Sequence, residues 1–286
     1  MPQLRPGWQL SVTMAAILVL VALVLRPVRH RWAQRVSAFA AEFTLVCSLL
    51  AIWQYIGRFV HNRLGAAFER GHSVFRIEQW FHLPSEVWVQ QLVMPFPDLV
   101  RGLNVYYAFA HLNSMTIFMV WMWWRHRDSY PGARNTVVLT TLACLLIQAI
   151  PVAPPRMLKD LGFVDTALQY GQSVYGPMGS GIANQVAAMP SVHVAWALIL
   201  GWYAVRVSSS PWRWLVPVHA ALTVLAVVAT ANHWWLDGIV AAGLMALAIP
   251  AQELARAGWR GVRAAQAPLA EASPALASVS GGASPG

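Results

Sequence analysis

Of 286 residues, 57% are hydrophobic and 11% are charged, against roughly 25% charged in a soluble domain, which argues against a soluble globular protein. The apolar residues fall in long blocks instead of at helical or strand period, the pattern of helices solvated by lipid. A net charge of +9, from 19 Arg and one Lys against 11 acids, would suit nucleic acid, but the arginines occupy short loops between apolar blocks, where they set topology and meet anionic lipid. No nucleic-acid partner is expected. Cys47 and Cys144 each lie inside an apolar block and mark neither a disulfide framework nor a metal cluster.

Seven segments are long enough, or nearly so, to cross roughly 30 Å of hydrocarbon: Trp8–Leu25, Ala38–Ile56, Leu103–Trp124, Thr136–Ile150, Ser191–Val207, Trp214–Thr230 and Trp234–Pro250. The first has a signal-like core, but Arg-rich sequence follows it without a convincing small-residue cleavage site, so it reads as a retained span. The expected architecture is an all-α polytopic membrane bundle of six to seven spans. Residues 1–60 form N-terminal transmembrane helices, and 102–251 form the catalytic core. Between them, 61–101 mixes Phe75, Trp80, Phe81 and Trp88 with Arg76, Glu78 and Glu86, which predicts amphipathic helices lying along the extracytoplasmic interface. Residues 252–286 end in Ala, Ser, Pro and Gly, a composition that cannot bury a core, and read as a disordered cytoplasmic tail.

Alternate loops carry twelve and eight basic residues. The richer set includes Arg26, Arg29, Arg31, Arg35, Arg125, Arg127, Arg134, Arg206 and Arg213, and belongs in the cytoplasm. Of the other eight, five lie in the one long segment Arg58–Arg101, and long loops translocate with little regard to charge. The expectation is a multi-pass protein of the cell membrane with its C-terminus in the cytoplasm. Trp121, Trp123, Trp124, Trp212, Trp214, Trp234 and Trp235 gather at span ends, as indole does at headgroup level.

Three outward-facing stretches hold polar residues beside span ends: Pro151–Asp160 (PVAPPRMLKD), Met189–His193 (MPSVH) and Asn232–Asp237 (NHWWLD). His233 and Asp237, four apart, share one helix face. Either the carboxylate holds the imidazole for catalysis, or the two groups only satisfy each other at the interface. Ser191 is suited to cap a helix whose first-turn N–H groups form an anion site, and His193 in that turn is placed to act as general acid. Arg156 and Lys159 supply cations, a guanidinium fork and a point charge. On the third span Asn104, Tyr107 and His111 share a face that should turn into the bundle, as a head-group or acceptor site or as structural hydrogen bonding. Glu78 is a weaker candidate.

A basic loop, then PSxH at a helix start, then HxxxD at the next outward helix start, in that order, resembles the type 2 phosphatidic acid phosphatase superfamily. APPRM, AAMPSVHVAW and TANHWWLDG look most like its branch of aureobasidin-resistance inositolphosphotransferases, which make inositol phosphorylceramide. The resemblance covers roughly Asn104–Pro250. It implies that His233 attacks phosphorus to give a phosphohistidine, that Asp237 orients it, that His193 protonates the departing oxygen, and that Ser191 and Arg156 hold phosphate oxygens; Lys159 joins the phosphate-binding set on its charge alone. Such a set calls for no metal or other cofactor. The chain departs from the superfamily in three places: Lys159 follows Arg156 instead of preceding it, Ala226-Val227 stand where Ser-Arg is usual, and Val192 replaces Gly.

The partners expected are a membrane phospholipid or lipid phosphate and, as acceptor, a lipid alcohol or water. Transfer of a phospho-head-group and release of inorganic phosphate both remain open. A transporter is the remote alternative, opposed by the lack of mid-membrane charge. A zinc site on His193, His233 and Asp237 is opposed by the cations beside it.

Overall fold

The computed structural model describes residues 7–60, 63–173 and 185–279, with side chains to Trp259. The described residues form ten α-helices and no strand. The architecture is the expected all-α membrane bundle. In chain order the helices are α1 (Trp8–Leu25), α2 (Arg31–Val60), α3 (Leu64–Trp80), α4 (Glu86–Val93), α5 (Pro97–Arg125), α6 (Tyr130–Gln148), the short α7 (Thr166–Gln169), α8 (Val192–Val207), α9 (Leu215–Ala229) and α10 (Trp235–Val279).

Four stretches are long and apolar enough to cross a membrane: Trp8–Leu25, Arg31–Arg58, Pro211–Ala229 and Trp235–Trp259. The other three expected spans coincide with α5, α6 and the shorter apolar α8. α5 and α6 are less apolar because they carry polar side chains on their buried faces: Asn104 on α5, and Thr136, Thr140, Thr141 and Gln148 on α6. Protein satisfies these groups where lipid could not. Thr136 Oγ1, for instance, takes hydrogen bonds within a cluster of Tyr203 and Gln252.

α1 and α2 form an antiparallel hairpin. Its outer surface of Leu10, Ile17, Leu20, Leu23 and Phe39 is exposed and suited to lipid. Polar ties join the pair, with Ser11 Oγ donating to Gln54 Oε1 at 2.9 Å and Ser37 Oγ to the Ala22 carbonyl at 2.8 Å. At its other end α2 is fixed to α6, where Glu42 accepts from Arg134 and from the Tyr130 hydroxyl.

The core is built on α4, α5, α8 and α9, whose Val89, Leu103, Tyr107, Val194 and Ala226–Ala229 form one cluster. α10 packs against α6 and α8. The segment expected to lie along the interface contains α3 and α4. α3 buries a stripe of Ala67, Gly71, Val74 and Glu78, at helical spacing, against loop 151–163 and the start of α10.

One expectation needs correction. Trp234 does not face outward as an exposed indole: it is buried, with its indole N–H donating to the Ala153 carbonyl at 3.0 Å. Indole buries readily once that N–H has a partner. α10 continues as helix from the last span through Val279.

Candidate active site

Loop 231–234 turns the chain from α9 into α10. Ala231 adopts φ 55°, and its carbonyl accepts from the Arg156 N–H at 2.8 Å. The next residues face inward. His233 is buried, and its Nδ1 lies 3.1 Å from Asp237 Oδ2 and 3.0 Å from the Ala188 carbonyl.

Both neighbours are acceptors, so Nδ1 carries the proton and Nε2 keeps its lone pair. Nε2 has no hydrogen-bond partner among the described residues, and His233 lines a cavity of about 540 Å³. Asp237 is fully buried, and the same Oδ2 that meets the imidazole also accepts from the Trp234 N–H at 3.0 Å. One carboxylate oxygen thus fixes both the ring and the backbone that carries it.

His193 reaches this place from the first turn of α8, which Ser191 caps through Oγ accepting from Val194 N–H at 3.3 Å. The Ser191 N–H in turn donates to the Asp237 carbonyl at 3.2 Å, so the starts of α8 and α10 are tied together. The His193 and His233 ring centroids are 5.4 Å apart. α5 supplies the opposite wall. Tyr107 stacks on His193 at 4.5 Å with an interplanar angle of 20°, and His111 lies 4.0 Å from it.

Arg156 is buried at the edge of the cavity. Its Nε donates to Asn232 Oδ1 and its Nη1 to Asp165 Oδ2, both at 3.0 Å, with Gln185 Oε1 at 3.5 Å from the same Nη1. The fork is held by neighbours on both sides and so is pre-aimed.

The structure therefore gathers His233, Asp237, His193, Arg156, Tyr107 and His111. It separates three others. Lys159 is exposed and does not line the cavity. Ser191 is fully buried with its oxygen engaged in the cap. Asn104 faces inward but bridges to the loop, accepting from Thr166 and donating to Gln172 at 3.0 and 3.1 Å. Sequence reasoning missed Asn232 and Asp165 as the partners that orient Arg156. Asn232 adjoins the catalytic-looking His, a signal available in the sequence, whereas nothing distinguishes Asp165.

Most of the rest of the cavity is apolar. Val46, Leu49, Leu50 and Trp53 of α2 face Leu112 of α5 and Leu145 of α6. A basic fork and two histidines at the polar end of such a cavity suit a molecule with an anionic head and a hydrocarbon body.

An integral membrane protein with these three motifs converging on one cavity has the make-up of a lipid-phosphate enzyme. A family model described as PAP2 superfamily matches residues 72–251, well over half of the chain, and the protein belongs to that superfamily. Membership supports a phosphatase- or phosphotransferase-type enzyme acting on lipid phosphates. No curated protein and no solved structure is matched.

Proposed function

We propose that the protein transfers a phosphoryl-containing group from a membrane phospholipid through a phosphohistidine at His233, with a lipid alcohol as acceptor, as an inositolphosphotransferase-like enzyme. The observation that carries this reading is His233 itself. Nδ1 is fixed as donor by Asp237 and Ala188, while Nε2 is a buried, unpartnered lone pair beside His193 at a lipid-suited cavity.

In the first half-reaction the Nε2 lone pair forms a bond to phosphorus as the bond to the leaving oxygen breaks, and that oxygen takes a proton from His193. The imidazolium charge that grows on His233 is balanced by Asp237 through Nδ1–H. Arg156 neutralises charge on the phosphoryl oxygens, the main demand of phosphoryl transfer. In the second half-reaction the acceptor hydroxyl gives its proton to His193 and attacks phosphorus, the N–P bond breaks, and both histidines return to their starting states.

With a lipid phosphate as donor and water as acceptor, the same steps release inorganic phosphate, the second reading. It is favoured by the coarser family assignment, which covers phosphatases as well as transferases. The distribution of basic residues among the loops supports an active site on the extracytoplasmic face of the cell membrane, with lipid entering sideways.

The test is acid-labile label on protein quenched during turnover of a labelled phospholipid mixture, with His233→Ala as control. Label on the wild type alone is expected, and its mass separates a bare phosphoryl from a phospho-head-group. Product formation without label, with His233→Ala still active, overturns the reading.

A further inference from the structure

The N-terminus of α10 leaves backbone N–H groups without helical partners, as any helix does. Here three consecutive ones each meet a different buried carboxylate. Trp234 N–H donates to Asp237 Oδ2 at 3.0 Å, Trp235 N–H to Glu86 Oε1 at 3.3 Å, and Leu236 N–H to Glu78 Oε1 at 2.6 Å. Glu78 and Glu86 are 2% and 1% exposed and come from α3 and α4. The Trp235 indole N–H adds a fourth tie, to the Pro84 carbonyl at 2.7 Å. The hairpin of α3 and α4 thus grips Trp235 and Leu236, the second and third residues after His233.

Three buried carboxylates at one helix end are more negative charge than a helix dipole offsets. A proton resolves the excess. Glu78 Oε2 is buried with no donor among the described residues. Burial, a hydrogen bond with Glu86, and the negative charges of Glu86 on α4 and Asp237 on α10 together push the Glu78 carboxyl up to about 10. At neutral pH Glu78 is therefore held as the neutral acid, with its Oε1 capping Leu236.

The geometry points to Glu78 and Glu86 as positioning residues for the reaction proposed above: two buried carboxyl groups that, through the Leu236 and Trp235 N–H groups, fix the turn carrying His233 and Asp237. The inference rests on His233 being the nucleophile. Neither carboxylate touches the cavity; both act on His233 through the backbone they hold.

The experiment compares kcat, KM and the alkaline limb of the pH–rate profile for wild type, Glu78→Gln, Glu78→Ala and His233→Ala, purified in a lipid-containing micelle and assayed on a lipid phosphate. Glutamine keeps the carbonyl that caps Leu236 and an N–H for Glu86, so Glu78→Gln is expected within about 3-fold of wild type near neutrality. Glu78→Ala is expected to lose about 10-fold or more in kcat with KM within about 2-fold, because orientation and not binding is lost. Wild type is expected to lose activity as the pH approaches about 10, and Glu78→Gln, which has no proton to lose there, to lack that limb.

A Glu78→Ala protein with wild-type kcat, or a Glu78→Gln protein with the wild-type alkaline limb, overturns the inference. If alanine does not fold, the glutamine profile decides alone. An inactive His233→Ala beside an indifferent Glu78→Ala refutes the positioning role only. An active His233→Ala refutes the nucleophile assignment instead.

Discussion

His233 and Asp237 are four residues apart, yet the structure asks more of the aspartate than a helix-face contact. Asp237 Oδ2 accepts from both the imidazole and the Trp234 N–H, so carboxylate geometry, and not charge alone, selects the Nδ1–H tautomer. An asparagine there can present its amide NH₂ to Nδ1 and invert that choice. Asp237→Asn is expected to lower kcat by about 100-fold or more while the protein stays folded. Turnover of the purified variant beside its thermal unfolding curve checks this, and near-wild-type turnover would mean that Asp237 only fills the helix end. Ala231 shows a related demand. A non-glycine residue at φ 55° is held against a cost of roughly 1 kcal/mol, and the position serves the site, since its carbonyl fixes the Arg156 backbone. The i, i+4 pair and the Ser191 cap were legible in the sequence because both are local rules. The partners of Arg156 were not, because Asn232 lies 76 positions away and only the packing of two loops brings them together.

Among the elements, α3 carries a consequence that its length and exposed aromatics conceal. Gly71 faces loop 151–163 so closely that an added Cβ would stand 2.9 Å from Leu158 Cδ1 and 3.1 Å from the Ala153 carbonyl oxygen. Leucine can rotate away, but the backbone oxygen of a proline-rich loop cannot. Gly71→Ala is expected to cost roughly 1–3 kcal/mol of stability and to lower turnover as well, because the same loop carries Arg156. Thermal unfolding and activity measured together test this: intact stability would show that α3 shifts freely. All seven expected spans were legible as helices because long apolar blocks need no tertiary information. Their polar faces were harder to price. Thr136, Thr140 and Gln148 lower the apolar character of α6 but are buried against protein, and sequence alone cannot say whether a polar group faces lipid or a partner. Trp234 illustrates the opposite error, an aromatic at a span end that packs inward to bond Ala153.

At the scale of the whole molecule, the family match begins at residue 72, so α1 and α2 lie outside it. α2 nevertheless forms a wall of the cavity with Val46, Leu49, Leu50 and Trp53, and it is pinned to α6 through Glu42. Neither contact was legible in the sequence, where Ala38–Ile56 reads as one more span. The placement separates two tasks. On the proposed reading, the motif-bearing helices hold the phosphate chemistry while the N-terminal hairpin meets the hydrocarbon. Each methylene buried against such a wall contributes about 0.8 kcal/mol, close to a fourfold change in affinity. Trp53→Ala removes the largest of these side chains and is therefore expected to raise KM for long-chain substrates by about 10-fold, to leave kcat nearly unchanged, and to spare a short-chain lipid phosphate that does not reach α2. Measuring kcat/KM across a series of chain lengths distinguishes this from general damage. A loss that is equal at every length would place the tail elsewhere and leave α2 as a structural brace, whereas a loss that grows with length would make this hairpin the part of the enzyme that measures its lipid.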